Sequence, residues 1–265
     1  MRNFRHLLMV GLMAVALSGE TLAAGVGFAP HRAVYGLSLD RDKTGGNVSQ
    51  ATGELAVEWR QACDGWTFEY RSLIDISYSE GGRMRLVTRA STWEEMDGHE
   101  FRFNVRHESN GKVLERIEGH ARMGQGGGLV TFSKPKKKFI KLPPGTLFPV
   151  AHSIDVLHAA TTAKAPVFHA KSVFDGMEFD GAYLVNAVIG KGSRAKAGLP
   201  ALRGLINWPV HLGYFANSAA PDPRFELGMR MFANGVTDDL VMALSEITLR
   251  GHIQKLELLP SDCAG

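Results

Sequence analysis

Residues 142–163, LPPGTLFPVAHSIDVLHAATTA, decide how the chain is read. This is the one stretch beyond the N-terminus with helical character in a chain that otherwise alternates with period two. The Thr146 hydroxyl can accept a backbone N–H at a helix start, and Pro149 falls in the first turn, where a missing N–H is harmless. Leu147, Ala151, Ile154 and Leu157 recur at three- and four-residue spacing and form one apolar stripe. A single amphipathic helix between two runs of strands must bury that stripe, and the surface available to it is a sheet.

Working outward, the N-terminal side reads as strands. Tyr35, Leu37 and Leu39 share a face; Leu55, Val57 and Trp59 alternate with Glu54, Glu58 and Arg60; Phe101, Phe103 and Val105 alternate with Arg102, Asn104 and Arg106. Turn signals at Cys63-Asp64-Gly65, Gly81-Gly82, Asp97-Gly98 and Asn110-Gly111 separate these runs. After the helix, strands end at Asp175-Gly176, Gly190-Lys191-Gly192 and Asn234-Gly235. Pro209 marks a strand edge or bulge, and residues 240–259 are long enough for two strands broken near Gly251. The expectation is a mainly β protein: a large antiparallel sheet of about a dozen or more strands, curled by twist and by its exposed edges into an open spiral or barrel. The central helix then packs in or over the mouth as a plug, burying Leu147, Ile154 and Leu157.

Residues 1–23 stand apart from this fold. Arg2, Arg5 and His6 precede an apolar run of 11 residues, Leu7 to Leu17, and Thr21-Leu22-Ala23 supplies small residues for cleavage. The reading is a secretory signal peptide cut after Ala23 or Ala24, with residues 24–265 as a single domain in the periplasm. The run is short of the roughly 20 residues needed to span a bilayer, and no later segment reaches that length. The leader carries two basic residues and one acidic residue, so of 30 and 27 the mature chain keeps 28 and 26, a net charge of +2. That balance gives nucleic-acid binding no global support.

The chain has two cysteines, Cys63 and Cys263, and an oxidising compartment favours their pairing. A bridge across 200 residues is worth roughly 5 kcal/mol as an upper figure in the chain-entropy treatment. Two separate reactive thiols are the alternative, but neither cysteine lies in a C-x-x-C pair or beside a histidine.

No G-x-S-x-G, H-E-x-x-H or S-x-x-K constellation marks a catalytic centre, and no cofactor is expected. Glu94-Glu95 and Asp238-Asp239 adjoin turns, where solvated charge is the ordinary account. His152 and His158 are six residues apart, about 240° around a helix, and cannot grip one ion together, so no metal is expected. Lys134, Lys136, Lys137 and Lys138, with Lys141, form the one concentrated charge block; it could meet an anionic surface, although a solvated loop or an edge strand protected by lysine needs nothing more. Trp59 and Trp66, with Phe101, Phe103 and Tyr183, could line a cavity for an acyl chain or peptide, or simply fill the core.

The combination of His31-Arg32-Ala33-Val34-Tyr35, Cys63-Asp64-Gly65-Trp66, Trp93 with Asp97-Gly98 and Phe101-Arg102-Phe103, the run 142–149 with His152, Val173-Phe174-Asp175-Gly176 and the late Cys263 resembles the EipB-like cell-envelope integrity proteins of alphaproteobacteria. The resemblance covers nearly all of the mature chain. It implies a periplasmic, overlapping β-spiral with one disulfide, to which Cys63 and Cys263 correspond, and no catalytic residues to carry over. The leading expectation is a non-enzymatic protein that supports the envelope by binding a protein partner or a hydrophobic or lipid ligand on its curved sheet. A lipid or lipoprotein carrier, or an envelope hydrolase with a strand-borne site, is the alternative.

Overall fold

A computed structural model describes residues 27–43, 47–195, 198–244 and 247–261. The expected leader, residues 1–23, and Cys263 lie outside the described residues. Eight strands run before the helix: β1 (His31–Leu39), β2 (Val48–Gln61), β3 (Gly65–Tyr78), β4 (Arg83–Glu95), β5 (Glu100–Ser109), β6 (Lys112–Gly124), β7 (Gly127–Lys134) and β8 (Lys138–Leu142). Helix α1 (Pro149–Thr162) follows. Seven further strands come after it: β9 (Val167–Val173), β10 (Tyr183–Ile189), β11 (Ser193–Arg194), β12 (Ile206–Phe215), β13 (Phe225–Phe232), β14 (Thr237–Ala243) and β15 (Thr248–Leu258).

All fifteen strands join one antiparallel sheet in the order 8-7-6-5-4-3-2-1-15-14-13-12-10-9, with β11 paired to β12. Each half of the chain is a meander. The first and last strands zip the halves together, His31 opposite Leu258 and Leu39 opposite Leu249. The middle of the chain therefore supplies both ends of the sheet, and α1 is the segment that passes from β8 at one end to β9 at the other.

The two ends do not pair with each other as strands. They are stitched instead by the chain entering α1: Leu147 N–H donates to the Ser172 carbonyl at 2.9 Å and Phe174 N–H donates to the Leu147 carbonyl at 3.0 Å. Thr146 and Ser172 add a hydroxyl pair at 2.8 Å. The β9–β10 connection reaches across the same seam, where Lys138 Nζ donates to the Phe179 carbonyl at 3.2 Å and the Met177 carbonyl lies 3.2 Å from His107 Nε2. An open, curled sheet with its edges covered by a helix and a loop meets the expectation drawn from the sequence.

Two apolar cores flank the helix. Phe148, immediately before it, stacks on Phe101 at 4.9 Å, and Phe101, Phe103, Phe132 and Phe174 pack at mutual ring distances of 5.5–6.3 Å. Val156, Leu157 and Ala160 pack on Val173, Val185, Val210 and Leu212 of the second half. The buried face of α1 is thus Val150, His152, Val156, Leu157 and Ala160, turned from the Leu147–Ala151–Ile154–Leu157 stripe expected from spacing alone. Leu157 is buried, Leu147 is half-buried and Ile154 is 43 % exposed. The rotation follows from the seam: α1 has sheet on the β9 side and open solvent beside the β4–β5 turn.

Other local expectations are also corrected. Thr146 bonds Pro143 and Ser172 and does not cap the helix. The break in the last long run falls between β14 and β15, at Ala243–Thr248, and not at Gly251, which pairs with both Leu37 and Leu240. Pro209 keeps the irregular position expected of it: it lies in β12 at the break where that strand passes from pairing β11 at Asn207 to pairing β10 at Val210.

Gly176 anchors the seam loop to the aromatic core: its φ is +70°, and an added Cβ would stand 2.6 Å from Phe103 Cγ. Gly176→Ala is expected to destabilise the protein by about 2–4 kcal/mol, through left-handed strain plus core overlap. Urea denaturation checks this, and an unchanged midpoint would detach the loop from the core.

Candidate functional site

A helix begins with backbone N–H groups that lack intrahelical partners, and the residue preceding α1, Phe148, has no side-chain oxygen to receive them. The acceptor comes from the sheet. Glu94, at the end of β4, takes the Val150 N–H on Oε2 and the Ala151 N–H on Oε1, both at 2.8 Å. Far from being solvated charge beside a turn, Glu94 is 2 % exposed. The sequence does hold the signal: Glu94 continues the inward parity of Met84, Leu86 and Ala90 along β4, and a carboxylate on an inward register needs a dedicated partner.

Burial pushes the Glu94 carboxyl up to about 7, against the two amide donors that favour its charged form. His152 lies one residue past that first turn and is also buried. Burial pulls its imidazole down to about 4, so it is neutral at neutral pH, and its Nε2 has no hydrogen-bond partner among the described residues.

Above Glu94 a cleft of about 440 Å3 opens between α1 and the β4–β5 turn. The turn is held close: Met96 N–H donates to the Asp64 carbonyl at 3.1 Å, and an added Cβ on Gly98 would lie 3.8 Å from that of Ala151. Trp66, Leu147, Val150 and Ala151 contribute to its apolar lining, and Ile154 and Met96 line it while 43 % and 46 % exposed. Glu95, Asp97 and Asp155 give the cleft an acidic rim, which His158 joins from α1. The Glu95 carboxyl is raised by local desolvation and by repulsion from Asp97, whereas His99, 2.9 Å away, holds Asp97 low. Asp155 is engaged by His169 and, at 3.8 Å, by Lys171. The arrangement can seat an apolar side chain with a cation beside it.

Trp66, Leu147 and Ile154 thus meet in one cleft beside the start of α1, over the inward-facing Glu94. Trp59 is elsewhere, stacked on Phe68 at 3.9 Å, and Phe28 wedges edge-on between Trp59 and Trp66. Leu157, Phe101, Phe103 and Tyr183 fill the cores. Of the lysine block, Lys134 is tied to Glu118 at 2.9 Å, and Lys138 turns inward onto the Phe179 carbonyl and ring. Lys136 and Lys137 remain exposed. Among the described residues two groups, Glu95–Asp97–His99 and Asp238–Asp239–His252, bring three ligating atoms within 4.8 Å. Both are partly exposed, and the pairs His99–Asp97, His252–Asp239 and Arg230–Asp239 explain them without an ion.

The EipB-like family profile matches residues 22–260. The cell envelope integrity protein EipB of Brucella abortus (strain 2308) is 28 % identical over 266 aligned positions, covering 93 % of this chain and 94 % of that one. A crystal structure of a β-barrel-like protein, a domain of unknown function from Brucella abortus, superposes with a TM-score of 0.81 at 26 % identity, over 89 % of this chain and all of the other. No helix among the described residues is long and apolar enough to cross a membrane.

Glu94 and His152 make opposite contributions to stability with pH. Glu94 has a raised carboxyl, so its term is present below its ordinary 4.5 and is lost as pH rises to about 7. The lowered His152 term is present above 6.5 and is lost as pH falls to about 4. Glu94→Gln should therefore gain on the wild type, by on the order of 3 kcal/mol, as pH rises between those limits. His152→Phe should gain on it as pH falls. Thermal melts across this range check both slopes, and parallel curves for variant and wild type would exclude the burial effect.

Proposed function

The chain belongs to the EipB-like family, and from that membership we propose that it supports cell-envelope integrity from the periplasm as a non-enzymatic binding protein. The observation that carries this reading is the cleft beside α1. Ile154 and Met96 stay exposed there over a floor containing Trp66, on a helix whose start is fixed by Glu94. A rigid apolar cleft with an acidic rim suits a partner polypeptide presenting an apolar side chain next to lysine or arginine. The one buried carboxylate below it has both oxygens engaged by helix amides, which fits an anchor rather than an acid or base.

Compartment and architecture also bear on the cysteines. Cys63 sits in the β2–β3 turn, and there is no free cysteine among the described residues. Leu258 pairs with His31 and His31 with Trp59, so the last strand ends two strands from the one that leads into that turn. The Cys63–Cys263 bridge follows as part of the proposal: it ties the C-terminus to the wall that carries Trp66.

Two experiments test these proposals. A photocrosslinking residue in place of Ile154 should capture an envelope protein in cells, and Met96→Asp in that background should reduce the yield severalfold without lowering the melting temperature. Capture of lipid alone would replace this reading with a carrier, and no capture above a control site on β14 would remove it. For the bridge, peptide mapping without reductant should give a linked Cys63–Cys263 peptide, and replacing both cysteines with serine should lower the melting temperature by several degrees. Two free thiols would defeat it.

A further inference from the structure

Between Glu118 and Asp155 the chain has no acidic residue, and its charged side chains there are Arg122, Lys134, Lys136, Lys137, Lys138 and Lys141. The fold gathers most of this segment at one end of the sheet, on β6, β7 and β8. Register then decides what faces solvent. Lys141 stands opposite Leu129, and Leu129 opposite Arg122; Phe139 stands opposite Thr131 in the neighbouring row. Phe139 is 57 % exposed and Leu129 is 44 % exposed, and Lys137 Nζ lies 5.3 Å from the Phe139 ring centre.

A lysine-guarded sheet edge explains the cations but not the apolar side chains. Edge protection works by making the edge polar, and an exposed phenylalanine opposes it. Phe139 and Leu129 framed by Lys136, Lys137 and Lys141 have the pattern of an interfacial anchor, in which apolar side chains enter the headgroup boundary and cations meet anionic lipid. Nearby acids do not cancel the patch. Glu118 is taken by Lys134 and Glu100 by Arg122, while Glu178 and Asp180 across the seam are taken by Arg224.

We propose that the outer face of β7 and β8 docks the protein on an anionic phospholipid surface, through Phe139 and Leu129 flanked by Lys136, Lys137 and Lys141. The surface is separate from the cleft beside α1 and does not rest on its reading.

Co-sedimentation of the mature chain with phosphatidylcholine vesicles, with and without phosphatidylglycerol, tests this. Binding is expected only to the anionic vesicles and should weaken as salt is raised. The triple change Lys136→Ser, Lys137→Ser and Lys141→Ser should lower partitioning on the order of tenfold or more, and Phe139→Ser should lower it in its own right. A charge-matched triple at the distant Lys43, Lys112 and Lys255 should bind nearly as the wild type does. Equal loss in the two triples would reduce the effect to net charge and overturn the proposal. So would equal binding to neutral vesicles, or binding of polyglutamate without binding of phosphatidylglycerol vesicles. Melting curves for each variant separate loss of docking from loss of fold.

Discussion

The pairing of β1 with β15 is the constraint on which the rest depends. Once the first and last strands zip together, the two free ends of the sheet must come from the middle of the chain, and the segment between β8 and β9 has to bridge them. Unpaired strand edges are costly to leave open. Here they are met by the backbone of Leu147 and the Thr146 hydroxyl, by α1 and by the β9–β10 connection, so the helix is the closing piece of a sheet that does not close on itself. Its apolar face serves the sheet and its other flank is left to solvent.

That position creates a second requirement. The start of α1 lies against β4, where water cannot satisfy its amides, and Glu94 supplies both acceptors from a strand more than fifty residues earlier in sequence. A carboxylate at the positive end of a helix is favourable, by up to about 2 kcal/mol in a partly buried setting. The same bond sets the angle of α1 relative to the β4–β5 turn and so fixes the width of the cleft. Fold and candidate site are in this sense one interaction: the cleft exists because the helix is pinned at Glu94 and packed at Val156, Leu157 and Ala160.

The two surfaces that stand out differ in character. The cleft is apolar with an acidic rim, whereas the β7–β8 face is basic with protruding apolar side chains. Both were partly legible in the sequence. The lysine block was visible as a run, but a run does not say which lysines are free: Lys134 has Glu118 beside it, Lys138 points inward at Phe179, and Lys141 belongs to the exposed row. Trp66, Leu147 and Ile154 were visible as apolar residues, yet their meeting place beside the start of α1 was not.

What the sequence by itself determined was the class of structure: alternation, turn dipeptides and one helical stretch specify a large antiparallel sheet with a single helix, because period and turn chemistry are local properties of the chain. Tertiary structure alone decided which face of α1 is buried, that Glu94 and not Thr146 completes the helix start, and which cations remain free. Spacing within the helix leaves its rotation undetermined, since Ile154 and Val156 are both apolar. The rotation is chosen by where the sheet lies, and that follows from the pairing of strands at opposite ends of the chain.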